Sequence, residues 1–132
     1  MSYVPGTPIV VTESDGVGLT TPEPYVRHVK VLLSPMLQEG LEDFAVGTCE
    51  VPPQQMGSLH THPDAAEIWM FSEGHGRAVI GEEEIVTGPG TVVYTPPGVS
   101  HQFFNTGDTP VKLFWMYSPS GAERDVIEAE FG

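Results

Sequence analysis

Glycine and proline set the scale of what this chain can build. Fifteen glycines and thirteen prolines are scattered through its 132 residues. Both residues interrupt helices, and proline also interrupts β-ladders. The stretches between them are short and rich in Val, Ile, Phe, Trp and Tyr. They are "YVRHVKVLL" (25–33), "EDFAVGTCEV" (42–51), "EIWMF" (67–71), "RAVI" (77–80), "TVVYT" (91–95), "HQFFN" (101–105) and "VKLFWMY" (111–117). Short strands at close spacing, with turn residues between them, predict an all-β antiparallel sandwich or barrel. "NTGD" (105–108) reads as a hairpin turn between two of the strands. "EEE" (82–84) reads as a solvated turn and strand edge rather than a metal site.

The length suits one domain with a modest core. Residues 1–24 contain Pro5, Pro8, Pro22 and Pro24 and read as an N-terminal arm, with room for one strand at "PIVVTE" (8–13). Residues 25–118 form the barrel. Residues 119–132 form a tail with a short helix, for which Ser120 is the expected N-cap. No 20- to 50-residue repeat is visible.

The net charge of −13, from 18 acidic and 5 basic side chains, disfavours a nucleic-acid partner and an anionic membrane surface. It also repels an anionic substrate, unless a bound cation reverses the local field. No apolar run reaches membrane-spanning length, and "MSYVPGTPIVV" lacks a basic segment ahead of an apolar one, so a cytoplasmic location is expected. Cys49 is the only cysteine, which excludes an internal disulfide and a thiolate zinc cluster. It reads as a small buried apolar residue.

The chemistry concentrates in "HTHPDAAE" (60–67), which holds two of the five histidines. The side-chain period of a strand is two, so His60 and His62 point to one face. Pro63 ends that strand, and Glu67 opens the next, where its carboxylate can lie beside both imidazoles. His101 follows the turn "TPPGVS" and supplies a third imidazole. Three nitrogens and one oxygen suit Mn(II), Fe(II), Co(II), Ni(II), Cu(II) or Zn(II). On an octahedral ion they leave two adjacent positions, as in a catalytic rather than a closed structural site. His28 and His75 read as structural or surface residues.

These residues resemble the cupin superfamily, in its small single-domain microbial type. Its first motif, G-x5-H-x-H-x3,4-E-x6-G, is matched by "HTHPDAAEIWMFSEG" at His60, His62, Glu67 and Gly74. The leading glycine is displaced, since Gly57 stands too close to His60. The second motif, G-x5-P-x-G-x2-H-x3-N, is matched by "GTVVYTPPGVSHQFFN" at Gly90, Pro96, Gly98, His101 and Asn105. The resemblance implies a double-stranded β-helix, a jelly-roll-like barrel, with His60, His62, Glu67 and His101 on one divalent ion. Iron(II) or manganese(II) comes first, then Zn, Ni, Co or Cu. It implies turn roles for the glycines and Pro96, a structural role for Asn105, and a homodimer in which residues 1–24 pack on the partner.

By strand phase, Met56, Ser58, Trp69, Phe71 and Phe103 are expected to line the pocket, with Met56 and Ser58 in phase with His60 only if no bulge intervenes. Many cupins have tyrosine where Trp69 stands, and in some lyases of the superfamily it is a base. Tryptophan has no usable acid–base proton, so no catalytic residue is assigned, and Tyr25, Tyr94 and Tyr117 remain candidates. Arg77 is the only cation near either motif, which argues against phosphorylated sugars. The expected function is a metal-dependent enzyme on a small oxygen-bearing substrate that chelates the ion. Dioxygenase cleavage with Fe(II) is slightly favoured. Isomerase, lyase or decarboxylase chemistry through an enolate is the alternative. A non-enzymatic small-molecule-binding or sensing protein is the second.

Overall fold

The structure, a computed structural model, describes residues 3–131. A 3-10 turn at Glu13–Asp15 precedes nine strands: Val17–Thr20 (β1), His28–Leu33 (β2), Ala45–Val51 (β3), Ala66–Glu73 (β4), Gly76–Ile80 (β5), Glu83–Thr87 (β6), Val92–Thr95 (β7), His101–Phe104 (β8) and Val111–Ser118 (β9). One helix, Arg124–Phe131 (α1), follows. All pairings are antiparallel. A six-stranded sheet in the order β1-β2-β3-β9-β4-β7 faces a three-stranded sheet in the order β6-β5-β8. This all-β arrangement is the antiparallel fold expected from the strand spacing and the double-stranded β-helix implied by the family resemblance.

All seven segments read as strands contain one, and the differences lie at the edges. No ladder forms at 8–13. Pro8 has no N–H to donate, Val10 is 83% exposed, and the next residues close a turn through Thr12 N–H to Asp15 Oδ2 at 2.8 Å. Pairing starts instead at Val17, which faces Val31. The acidic run is the solvated turn and strand edge expected, with Glu82 in the turn and Glu83 and Glu84 paired with Ile80 and Val79 in the β5–β6 hairpin, their side chains in solvent. "NTGD" is not a hairpin, since β8 and β9 belong to different sheets. It is a crossover held by Asn105, whose amide donates to the carbonyls of Val51, Pro52 and Thr109 and whose Oδ1 accepts from Gly107 N–H. Ser120 does not cap the helix either. Glu123 directly precedes α1, and its buried carboxylate accepts from Ser34 Oγ at 2.6 Å.

Period-two burial carries the core. On β9, Val111, Leu113, Trp115 and Tyr117 point inward, and on β4 so do Glu67, Trp69 and Phe71. Burial of each large apolar side chain stabilises by about 1.5–3 kcal/mol. Two rows cross the sheet below the site. Gly47, Trp115, Trp69 and Val93 are in register, as are Ala45, Tyr117, Glu67 and Thr95. Gly47 is required by close approach. A Cβ there would lie 2.1 Å from the Trp115 ring and 2.0 Å from the Lys30 carbonyl oxygen. Gly74, Gly90 and Gly98 have φ of 80°, 90° and 80°, the left-handed turn conformation that the motif glycines are expected to serve. Among the described residues no helix is long and apolar enough to cross a membrane.

Candidate metal centre and its cavity

His60 and His101 are placed opposite each other by the backbone. Each donates its N–H to the other's carbonyl, at 3.1 and 2.9 Å, and their imidazole centroids lie 4.3 Å apart. The 56–62 segment runs along β8 as isolated bridges rather than as the regular strand expected from the i, i+2 spacing. Met56 bridges Phe104 and His60 bridges His101, so four residue steps on one side meet three on the other. That extra residue is a bulge. It takes Met56 out of phase with the imidazoles. The turn at Pro63–Asp64 ends the segment, and Gly98 N–H donates to the His62 carbonyl at 3.0 Å, tying the "PPG" turn to the first histidine pair. Glu67 follows near the start of β4, with its side chain inward.

The side chains of His60, His62, Glu67 and His101 converge, with one ligand atom from each lying within 4.8 Å of all the others. His101 Nε2 and His62 Nε2 are 2.9 and 3.2 Å from Glu67 Oε1. These contacts are close but misaligned, and all three atoms are buried without a hydrogen-bond partner. The outer atoms, in contrast, are satisfied. His60 Nδ1 faces the Ser58 carbonyl at 2.8 Å, and His101 Nδ1 faces the Val99 carbonyl at 3.3 Å. A carbonyl only accepts, so both Nδ1 atoms carry the proton and both Nε2 lone pairs face the centre. Trp69 donates its indole N–H to Glu67 Oε2 at 2.8 Å. Converging buried atoms without hydrogen-bond partners fit a cation, and the mixed nitrogen–oxygen set fits a divalent transition metal.

The electrostatics agree. Burial and the neighbouring His101 push the His60 imidazole down to about 4, which keeps it neutral and able to ligate. Burial alone would raise the Glu67 carboxyl. The two imidazoles and the Trp69 N–H outweigh burial and bring it down to about 2, so it is ionised. Cys49 is pushed up to about 12 by burial and is an inert thiol.

Beside the centre lies a cavity of about 60 Å³. Of the residues expected to line it, Ser58, Trp69 and Phe103 do, and Met56 and Phe71 do not. Phe71 sits behind the wall against Phe103, with centroids 5.2 Å apart. The other lining residues include Arg27, Cys49, Trp115 and Tyr117. Tyr117 is the one tyrosine of the three candidates in the cavity. It faces His62 at 5.1 Å, and burial together with the Glu67 and Glu123 charges raises its hydroxyl further, so it stays protonated. Tyr25 and Tyr94 are exposed.

Arg27 was invisible to motif spacing, because it lies outside both motifs. Strand phase does mark it, since it is two residues before Val29 and four before Val31, both buried. Arg77, the cation nearest the motifs in sequence, lies on β5 with its guanidinium 4.4 Å from the Phe104 ring and paired with Glu84, and it does not line the cavity. His28 bonds Thr20 on the surface, and His75 is exposed.

Comparison with known proteins adds a family and several relatives. A family described as "Cupin domain" matches residues 47–117. An uncharacterized protein of Methanocaldococcus jannaschii is 26% identical over 121 residues, covering 89% of this chain and 92% of its own. A glucose-6-phosphate isomerase of Thermococcus kodakarensis is 42% identical over 74 residues, covering 52% of this chain and only 39% of that enzyme. Among solved structures, a predicted oxalate decarboxylase from Thermotoga maritima superposes with a TM-score of 0.75 at 22% identity, over 85% of this chain and 100% of that one. At that identity the likeness is one of fold.

Proposed function

We propose, from the premise that this chain belongs to the cupin domain family, that it is a divalent-metal-dependent enzyme acting on a small oxygen-bearing organic molecule. The observation that carries the reading is the trio of buried, unpartnered atoms, His62 Nε2, His101 Nε2 and Glu67 Oε1, with His60 completing the set. A bound divalent ion supplies Lewis acidity that polarises a substrate oxygen. The chain's own residues do the rest. The carbonyls of Ser58 and Val99 fix the imidazole tautomers, and Trp69 orients Glu67. The apolar walls of Trp69, Phe103 and Trp115 limit water, and Tyr117 offers a neutral hydroxyl beside His62.

Isomerase, lyase or decarboxylase chemistry is favoured over dioxygenase cleavage. An apolar wall without a cation supported the oxygen-dependent branch, and Arg27 removes that support. The local similarity to glucose-6-phosphate isomerases points the same way, although the match spans about two fifths of those enzymes. Iron(II) and manganese(II) head the metal series, and the assembly is a homodimer. Elemental analysis of protein purified without added metal tests the site. One equivalent is expected in the wild type and close to none in His62→Ala or His101→Ala, and metal retained by both variants would refute the assignment. Turnover that persists without O2 supports the favoured branch, and strict O2 dependence removes it.

A further inference from the structure

Five basic side chains serve 18 acidic ones, and four of the five are engaged. Arg77 pairs with Glu84, Lys112 with Glu13, and Arg124 with Glu128, while Lys30 donates to the Glu13 carbonyl. Arg27 alone has neither an ion pair nor a side-chain hydrogen bond among the described residues, and its Nε is buried without a partner. It is also the one cation that lines the cavity beside the metal centre.

Its position is built. The Arg27 backbone is clamped to Thr21, donating to Oγ1 at 2.8 Å and accepting from Thr21 N–H at 2.9 Å. The stem lies over Gly57, where an added Cβ would come within 3.2 Å of Arg27 Cδ. Arg27, Val29, Ser58, His60 and Tyr117 line both the inner cavity and the wider hollow outside it, which also reaches His62, so Arg27 stands where the two spaces meet beside the imidazoles. A partly desolvated cation without a partner is costly, and an anion in the cavity would relieve that cost.

We infer that Arg27 is the substrate-anchoring residue of this site, and that the substrate is a small organic carboxylate with one acidic group on Arg27 and a second oxygen at the metal centre. The inference rests on the proposed metal-dependent reading and names its substrate class. A guanidinium fits a carboxylate through two parallel hydrogen bonds. One arginine balances a carboxylate better than a doubly charged phosphate in a chain of net charge −13. About 60 Å³ holds only a few water-sized volumes, which suits an acid of roughly two to four carbons. The remaining wall is mostly apolar, with Val29, Val51 and Leu113 beside the aromatic rings, and does not offer the many donors that a sugar requires.

The test is calorimetric titration of oxalate, malonate, neutral malonamide and inorganic phosphate into metal-loaded wild type, Arg27→Gln and Arg27→Lys, with metal content and thermal unfolding measured on each. The expected result is that at least one diacid binds wild type, that Arg27→Gln weakens it tenfold or more at unchanged metal content and fold, and that Arg27→Lys recovers part. Equal diacid binding by wild type and Arg27→Gln overturns the proposal, as does failure of both diacids on wild type. Phosphate binding tighter than both diacids, lost in Arg27→Gln, overturns the carboxylate assignment. If wild type takes up no metal, the metal-dependent reading falls. Arg27-dependent diacid binding to the metal-free protein, read by thermal shift, would then still support the anchor, and its absence would overturn that too.

Discussion

The indole of Trp69 donates to Oε2 of Glu67 at 2.8 Å, two residues along the same strand, and so turns Oε1 toward the imidazoles of His62 and His101. A residue that cannot exchange protons at neutral pH thereby acts on the centre through the orientation of a ligand. Trp69→Phe keeps most of the ring volume and removes the N–H. The expected outcome is a metal affinity lower by about tenfold or more with the fold retained. Competition with a chelator of known affinity measures it, and an unchanged affinity would refute the positioning role.

The metal-free protein should lose stability in acid in two stages. His60 has a folded-state value of about 4 against an ordinary 6.5, so between those limits the unfolded chain binds the proton and the folded chain does not. That contribution is complete above pH 6.5 and is lost as the pH falls to about 4. Glu67, at about 2 against 4.5, adds a contribution that is complete above 4.5 and lost toward 2. Urea unfolding at stepped pH in the presence of chelator should show both stages, and His60→Gln should flatten the first while leaving the second.

Seven of the nine strands were legible in the sequence because each is a short β-branched or aromatic run bounded by glycine or proline. Of the other two, β1 was expected at 8–13 and the acidic β6 only as a turn and strand edge. The centre was legible for a related reason: i, i+2 histidines share a face wherever backbone is extended. What escaped the sequence depends on relations between distant segments. Whether "NTGD" closes a hairpin or crosses between sheets is decided by the partners of β8 and β9, which local turn chemistry does not encode. Met56 fell out of phase through a one-residue bulge against β8. Arg27 joins the site only because β2 lies next to β3, whose Cys49 and Val51 also line the cavity.

Gly47 sets the depth of the cavity floor by letting Trp115 lie flat across β3, with its indole N–H on the Thr48 carbonyl at 3.0 Å. Gly47→Ala would force the ring or the strand to move. A loss of about 1–3 kcal/mol in unfolding free energy is expected. The emission of Trp115, isolated in a Trp69→Phe background, should shift to longer wavelength as the ring becomes more hydrated. A neutral substitution would show that the strand yields without cost.

The outer face of the large sheet offers a surface for the proposed homodimer. Across it, Val46, Met116, Ile68 and Tyr94 stand in one register row, and Phe114, Met70 and Val92 in the next. Val92 and Tyr94 are 64% and 59% exposed, so the row ends open to solvent. A contiguous apolar patch on an otherwise acidic surface is better covered than left in water. Light scattering should therefore give twice the 14.3 kDa chain mass. Val92→Glu with Tyr94→Glu puts like charges on both copies of the face and should yield monomers that still bind metal, since neither residue lines the cavity. A monomeric wild type would refute the dimer, and a dimeric double variant would move the interface elsewhere, with β1 and the preceding N-terminal residues the next surface to test.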